Sequence, residues 1–138
     1  MVRIRRSYEM HAAHHLTAGV PAGHKCRRLH GHTYKLTIDI AGRADEAGLL
    51  LDFHALDVIV RPLILHVDHH HLNTLHERCT TIEASEVAAN PTAERLCAWF
   101  VHRLRGIVAS ARLNDPLKLI RVEIAEDSRS SVIWGLEE

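Results

Sequence analysis

Residues 32–41, HTYKLTIDIA, alternate between two kinds of side chain. Tyr34, Leu36, Ile38 and Ile40 share one parity, and Lys35, Thr37 and Asp39 share the other. Such alternation demands a strand with one face on a core and the other in water, the signature of an antiparallel sheet. The strand is entered through His30-Gly31-His32, with Cys26 four residues before His30. His30 and His32 are two apart, so both imidazoles sit on the parity of the apolar face. Gly31 between them lets another backbone pass close.

Residues 2–14 predict a partner strand. Val2, Ile4, Tyr8, Met10 and Ala12 lie on one side, Arg3, Arg5, Ser7 and Glu9 on the other, and Arg6 interrupts the apolar side. His14 ends this strand on the apolar parity. Residues 17–29, with Gly19, Pro21 and Gly23, read as a loop. A turn through residues 41–48 leads to Leu49–Leu51, expected to pair briefly. Asp52 caps a helix reaching about His66, with Phe53, Leu56, Val60, Leu63, Ile64 and Val67 as its apolar stripe and Pro62 expected to kink it. Residues 67–73 read as a helix end or loop, and 75–89 as a loop with some helix. Asn90-Pro91 predicts the start of a second helix, Asn as cap and Pro in the first turn. Its core face carries Leu96, Trp99, Phe100, Leu104, Ile107 and Val108. Asn114-Asp115-Pro116 turns the chain into strands over Leu117–Glu126, with Ile120, Val122 and Ile124 on one face, and Ser131–Leu136. The expectation is an α+β fold in one domain over residues 1–138. It has ββααββ order, with two helices on one face of a four-stranded antiparallel sheet.

Lysine plus arginine balances aspartate plus glutamate at 17 each. No global pull toward nucleic acid or a membrane surface is expected. No segment approaches the roughly 20 apolar residues that span a bilayer. The arginine-bearing start has no apolar run behind it, so no export signal is read there. The three cysteines Cys26, Cys79 and Cys97 lack a disulfide spacing, and reduced thiols in a cytoplasmic protein are expected. Histidine is the outlier, with 13 residues, which directs attention to metal binding or proton transfer.

If the two first strands are neighbours, His14, His30 and His32 converge. Three neutral imidazoles with an open fourth position describe a catalytic zinc site, and for the matched trio this outweighs the alternative of hydrogen-bonded core histidines. Cys26 reads as a fourth ligand or as a thiolate beside the metal. Lys25, Arg27 and Arg28 surround it with positive charge. Asp68-His69 is a candidate acid–base pair in which the carboxylate fixes the imidazole tautomer, although His70 and His71 compete for the role. Glu126 ends a strand on the apolar parity and needs a partner there. A ligand with parallel N–H donors, such as a 2-amino-4-oxo heterocycle, would supply one.

These pieces together resemble the 6-pyruvoyltetrahydropterin synthase and 6-carboxytetrahydropterin synthase family. The matching residues are Ala12-Ala13-His14, Gly23-His24-Lys25-Cys26, Leu29-His30-Gly31-His32, Leu51-Asp52-Phe53, Asp68-His69 with Leu72-Asn73, Asn90-Pro91-Thr92 with Glu94, and Glu126. The resemblance implies the tunnelling fold and a homohexamer of two stacked trimers, with active sites at subunit interfaces. It implies zinc on His14, His30 and His32, a reactive thiolate at Cys26, and proton-transfer partners at Asp68 and His69 supplied by a neighbouring subunit. It also implies a pterin anchor at Glu126. The gap of three residues between Cys26 and His30 resembles the bacterial 6-carboxytetrahydropterin synthases of 7-deazapurine and queuosine biosynthesis. These convert 7,8-dihydroneopterin triphosphate to 6-carboxy-5,6,7,8-tetrahydropterin, acetaldehyde and triphosphate. A pyruvoyl-forming or side-chain-cleaving homologue is the alternative, and a non-catalytic metal- or pterin-binding protein the second. The chain departs from the family pattern at Met10, at Trp134 and in the inserted stretch 75–89.

Overall fold

The computed structural model describes residues 1–135. Two long strands dominate it: β1, Val2–His14, and β2, His30–Gly42. They pair antiparallel in register from Val2↔Gly42 to His14↔His30. Helix α1 spans Phe53–Leu65, and strand β3 is the two-residue His70–His71. A 3-10 turn over Leu72–Glu77 leads to helices α2, Ile82–Ala89, and α3, Ala93–Ser110. Strands β4, Lys118–Ala125, and β5, Ser131–Gly135, close the chain. Leu136, expected to end the last strand, lies outside the described residues.

The sheet is five-stranded and mixed, in the order β3-β1-β2-β4-β5. This corrects the expected four-stranded antiparallel sheet. The added strand is short: Ala12↔His70 and Ala13↔His71 pair in parallel. A two-residue strand has no period to betray it. The helix count is also corrected, because residues 75–89, read as a loop with some helix, hold the end of the 3-10 turn and all of α2. Thr81 caps α2 by accepting from the Ala84 N–H at 3.2 Å. Leu72, Leu75, Cys79, Ala84 and Val87 are buried there.

Parity assigns the sheet faces as read. Tyr8, Met10, Ala12, Tyr34, Leu36, Ile38, Ile40, Val122 and Ile124 join Leu56, Val60, Leu96, Trp99, Phe100 and Leu104 in one core, so the helices cover this face. On β4 the expected face shifts. A bulge opposite Asp39/Ile40 pairs Ile40 with Leu119, so Leu119 is buried and Ile120 only half-buried. One extra residue reverses the inward–outward alternation beyond it.

Arg6, the break in the apolar stripe, forms a bidentate pair with Asp57 of α1 at 3.1 and 2.8 Å. The Tyr8 hydroxyl donates to the same carboxylate at 2.7 Å. On the other face Arg5 grips Asp39, its cross-strand partner, at 2.6 and 2.9 Å. Asp52 caps α1 as expected, accepting from the Ala55 N–H at 3.0 Å. Pro62 sits inside a continuous α1. The carbonyl its ring leaves without an N–H partner belongs to Val58, which is exposed and within reach of water. Leu49–Leu51 form no strand; Leu50 instead packs into the core. The α3 cap is Thr92, which accepts from the Arg95 N–H at 3.1 Å, rather than Asn90. Among the described residues no helix is long and apolar enough to cross a membrane.

Candidate active site

The β1–β2 register brings the histidines together. His14 lies opposite His30, and Ala12 opposite His32. The rings of His14 and His30 are 4.6 Å apart between centroids, His14 and His32 5.1 Å, His30 and His32 4.9 Å. One ligating nitrogen from each lies within 4.8 Å of the other two. Close approach favours Gly31, since a Cβ there would stand 3.3 Å from the Ala12 carbonyl oxygen, and the backbone would have to give by a few tenths of an ångström.

Backbone carbonyls fix two of the tautomers. His14 Nδ1–H donates to Pro91 O at 2.7 Å, and His30 Nδ1–H donates to Arg28 O at 2.7 Å. Each ring keeps Nε2 as its free lone pair, the arrangement that orients an imidazole toward a metal. Burial pushes the His14 pKa down to about 4, with the neighbouring imidazoles adding to the effect, so the ring is neutral at pH 7. Three converging imidazoles, two of them oriented by backbone carbonyls, with no fourth His, Cys, Asp or Glu in the cluster among the described residues, fit a zinc ion that keeps an open position. Cys26 is outside this cluster, which weighs against its reading as a ligand.

Glu126 follows β4 and points at the same spot. Its Oε1 lies 3.9 Å from His14 Nε2 and from His32 Nε2, too far for a hydrogen bond. A groove of about 490 Å³ opens beside it, lined in part by Glu9, His32, Lys35, Glu126 and Asp127.

Cys26 is half-buried in a 3-10 turn, Lys25–Arg27, capped by His24, whose Nδ1 accepts the Cys26 N–H at 3.1 Å. The Cys26 carbonyl accepts from Leu16 N–H at 2.8 Å, tying the turn to the end of β1. A second cavity, of about 500 Å³, is lined by Lys25, Cys26, Arg28, Leu29, His30 and His32. Arg27, expected to add charge at the thiol, instead holds the loop. Its guanidinium donates to Thr17 O at 2.5 Å and to Val20 O at 2.7 and 3.2 Å.

Asp68 and His69 form the expected pair, with His69 Nδ1 at 3.0 Å from Asp68 Oδ2. Adjacent side chains meet because His69 adopts φ 60°, a left-handed conformation uncommon outside glycine. His11 secures it through its backbone, donating N–H to Asp68 Oδ1 at 2.8 Å and accepting the His69 N–H at 2.6 Å. The His11 N–H, and then His69, hold the Asp68 carboxyl below the usual range. His71 contacts His15 instead, at 3.4 Å between Nε2 and Nδ1. The pair opens on a third groove, of about 560 Å³, lined by His11, His32 and His69–His71 among others. His32 is the one described residue that lines both this groove and the Cys26 cavity, so His69 and Cys26 line separate openings on either side of it.

The sequence assigns no role to Asn73 and marks Asn90 as a helix cap; both instead hold the chain beyond β1. Asn73 pairs with both main-chain groups of His15, accepting its N–H at 3.1 Å and donating to its carbonyl at 3.1 Å. Asn90 accepts from Thr17 N–H at 2.9 Å and donates to Ala18 O at 3.2 Å. Their own place in the quoted motifs Leu72-Asn73 and Asn90-Pro91-Thr92 was the available signal.

Residues 3–136 match the family described as 6-pyruvoyl tetrahydropterin synthase. A relative from Pyrococcus horikoshii, provisionally named a 6-carboxy-5,6,7,8-tetrahydropterin synthase, is 34% identical over 120 residues, covering 77% of this chain and 73% of the relative. The 6-carboxy-5,6,7,8-tetrahydropterin synthase of Synechocystis is 31% identical over 107 residues, 73% of each chain. The 6-pyruvoyl tetrahydropterin synthase of Caenorhabditis elegans superposes with a TM-score of 0.77 at 20% identity, over 99% of this chain and 96% of the other.

Proposed function

Because the chain belongs to the 6-pyruvoyl tetrahydropterin synthase family, we propose that it is a zinc-dependent lyase. Its reaction converts 7,8-dihydroneopterin triphosphate and water to 6-carboxy-5,6,7,8-tetrahydropterin, acetaldehyde and triphosphate, on the route to 7-deazapurines such as queuosine. The relatives named for this product support the choice over pyruvoyl formation. The carrying observation is the convergence of three imidazoles, two of which, His14 and His30, have their Nδ1–H held by the Pro91 and Arg28 carbonyls and so turn Nε2 toward the cluster.

His14, His30 and His32 would hold the ion, which supplies Lewis acidity toward a ligand oxygen. Glu126 accepts the N–H donors of the pterin ring and fixes its orientation. Cys26 is the base that takes a proton from the side chain, and His69 returns one, its tautomer set by Asp68. Cys26 and the pair open on different grooves of one chain. That separation supports a site completed by the Asp68–His69 pair of a neighbouring subunit, within a cytoplasmic homohexamer.

Mass spectrometry of products from 7,8-dihydroneopterin triphosphate tests the reading. Acetaldehyde with a carboxylated tetrahydropterin is expected. A pyruvoyl or hydroxymethyl pterin, or no turnover by zinc-loaded protein, would overturn it.

A further inference from the structure

The grooves that flank the imidazole cluster differ in charge. The one beside Glu126 carries Glu9, Glu126 and Asp127 against a single Lys35. The one beside Cys26 carries Lys25 and Arg28 and no carboxylate among the described residues. His32 lines both. A ligand spanning the two grooves would present N–H donors at one end and an anion at the other, with its middle at the imidazoles.

Three cations crowd the Cys26 turn, and the structure separates their roles. Arg27 is fully committed to Thr17 and Val20 carbonyls. The side chains of Lys25 and Arg28 have no hydrogen-bond or ion-pair partner among the described residues. Their backbones are fixed, however. Arg28 N–H donates to Lys25 O at 3.1 Å, closing the turn, and Arg28 O receives the His30 Nδ1–H. Arg28 thus carries both a cation and the carbonyl that orients His30, Lys25 is joined to it by the turn hydrogen bond, and both side chains are free at the cavity. Guanidinium and ammonium side by side suit a phosphate chain, the first by bidentate hydrogen bonds and the second as a point charge.

We propose that Lys25 and Arg28 seat the phosphate groups of the substrate, in the same cavity as Cys26 and on the far side of His32 from Glu126. The inference rests on the pterin reading above and adds the polarity of binding. The heterocycle lies toward Glu126, and the phosphorylated end of the side chain lies toward Lys25 and Arg28.

Calorimetric titration with inorganic tripolyphosphate tests it, with protein as purified and again after metal stripping, since tripolyphosphate also chelates zinc. Binding should persist without metal. It should weaken at least about tenfold in the Lys25→Met/Arg28→Gln double variant, recover in part with Arg28→Lys, and stay unchanged in Lys118→Gln, an exposed cation on β4. Equal affinity in wild type and double variant, or binding that disappears with the metal, would overturn the seat. Kinetics separate the two proposals. The double variant should lose kcat/KM for the triphosphate ester while its affinity for unphosphorylated dihydroneopterin is unchanged. Loss of both to the same degree would also overturn the seat. If the wild type binds tripolyphosphate through these two residues but turns over no dihydropterin, the anion seat stands and the enzymatic reading fails.

Discussion

His14 donates its Nδ1–H to the carbonyl oxygen of Pro91 at 2.7 Å, across 77 residues of sequence. The bond joins the end of β1 to the segment just ahead of α3, and it decides which nitrogen of a buried ring is free. Asn90, one residue earlier, anchors Thr17 and Ala18 beyond the same strand. Pro91→Gly keeps the carbonyl but loosens its position. Zinc affinity, measured by competition with a chromophoric chelator, should fall about tenfold or more, the usual cost of disturbing the partner of a metal ligand. Affinity equal to wild type would show that the cluster does not need this bond.

Cys26 lies outside the three-imidazole cluster but lines a cavity with two of its members. Cys26→Ala should therefore lower kcat by about 10²-fold or more, as expected for removal of a general base, while a stoichiometric zinc remains. Metal analysis and single-turnover kinetics on the same preparation check this. Zinc lost together with activity would make the thiol a ligand, and full activity would remove it from the chemistry.

The two long strands and the imidazole trio were legible because period-two alternation is a direct record of which face is buried. Parity alone assigned His14, His30 and His32 to one face. It could not set the register, which comes from the continuous β1–β2 ladder. The α2 segment was only half legible, as some helix within a loop, because a helix of eight residues buries just Ala84 and Val87 and so leaves no apolar stripe to read. The bulge beside Asp39 was hidden because a one-residue insertion leaves no compositional trace. Asp68–His69 was ambiguous for a different reason: adjacent side chains meet only if the backbone turns left-handed, and nothing in the sequence of three histidines announces φ 60° at the first of them.

The Arg6–Asp57–Tyr8 network makes acid stability predictable. Arg6, followed by Tyr8, holds the Asp57 carboxyl down at about 2, below its unfolded value of about 3.9. A depressed folded pKa contributes stability that is complete above the unfolded value and is lost as pH falls through the folded one. Urea midpoints should thus decline between about pH 4 and about pH 2 more steeply in wild type than in Asp57→Asn, whose side chain does not titrate. Parallel curves for the two proteins would show that the pair has no linkage to folding.

The separation of Cys26 from the Asp68–His69 pair leads to a test of assembly. His69 is 77% exposed at its side chain, facing away from its own chain's core, and its groove meets the Cys26 cavity only at His32. If each site takes its thiol from one subunit and its imidazole from the next, Cys26→Ala and His69→Ala chains are each inactive alone but complementary. Mixed assemblies, formed by co-expression with distinguishable tags, then contain some interfaces where a wild-type thiol faces a wild-type imidazole. Activity should return in the doubly tagged fraction and be absent from each homogeneous variant. If the mixed fraction is as inactive as its parents, the two residues act within one chain or His69 is not the acid.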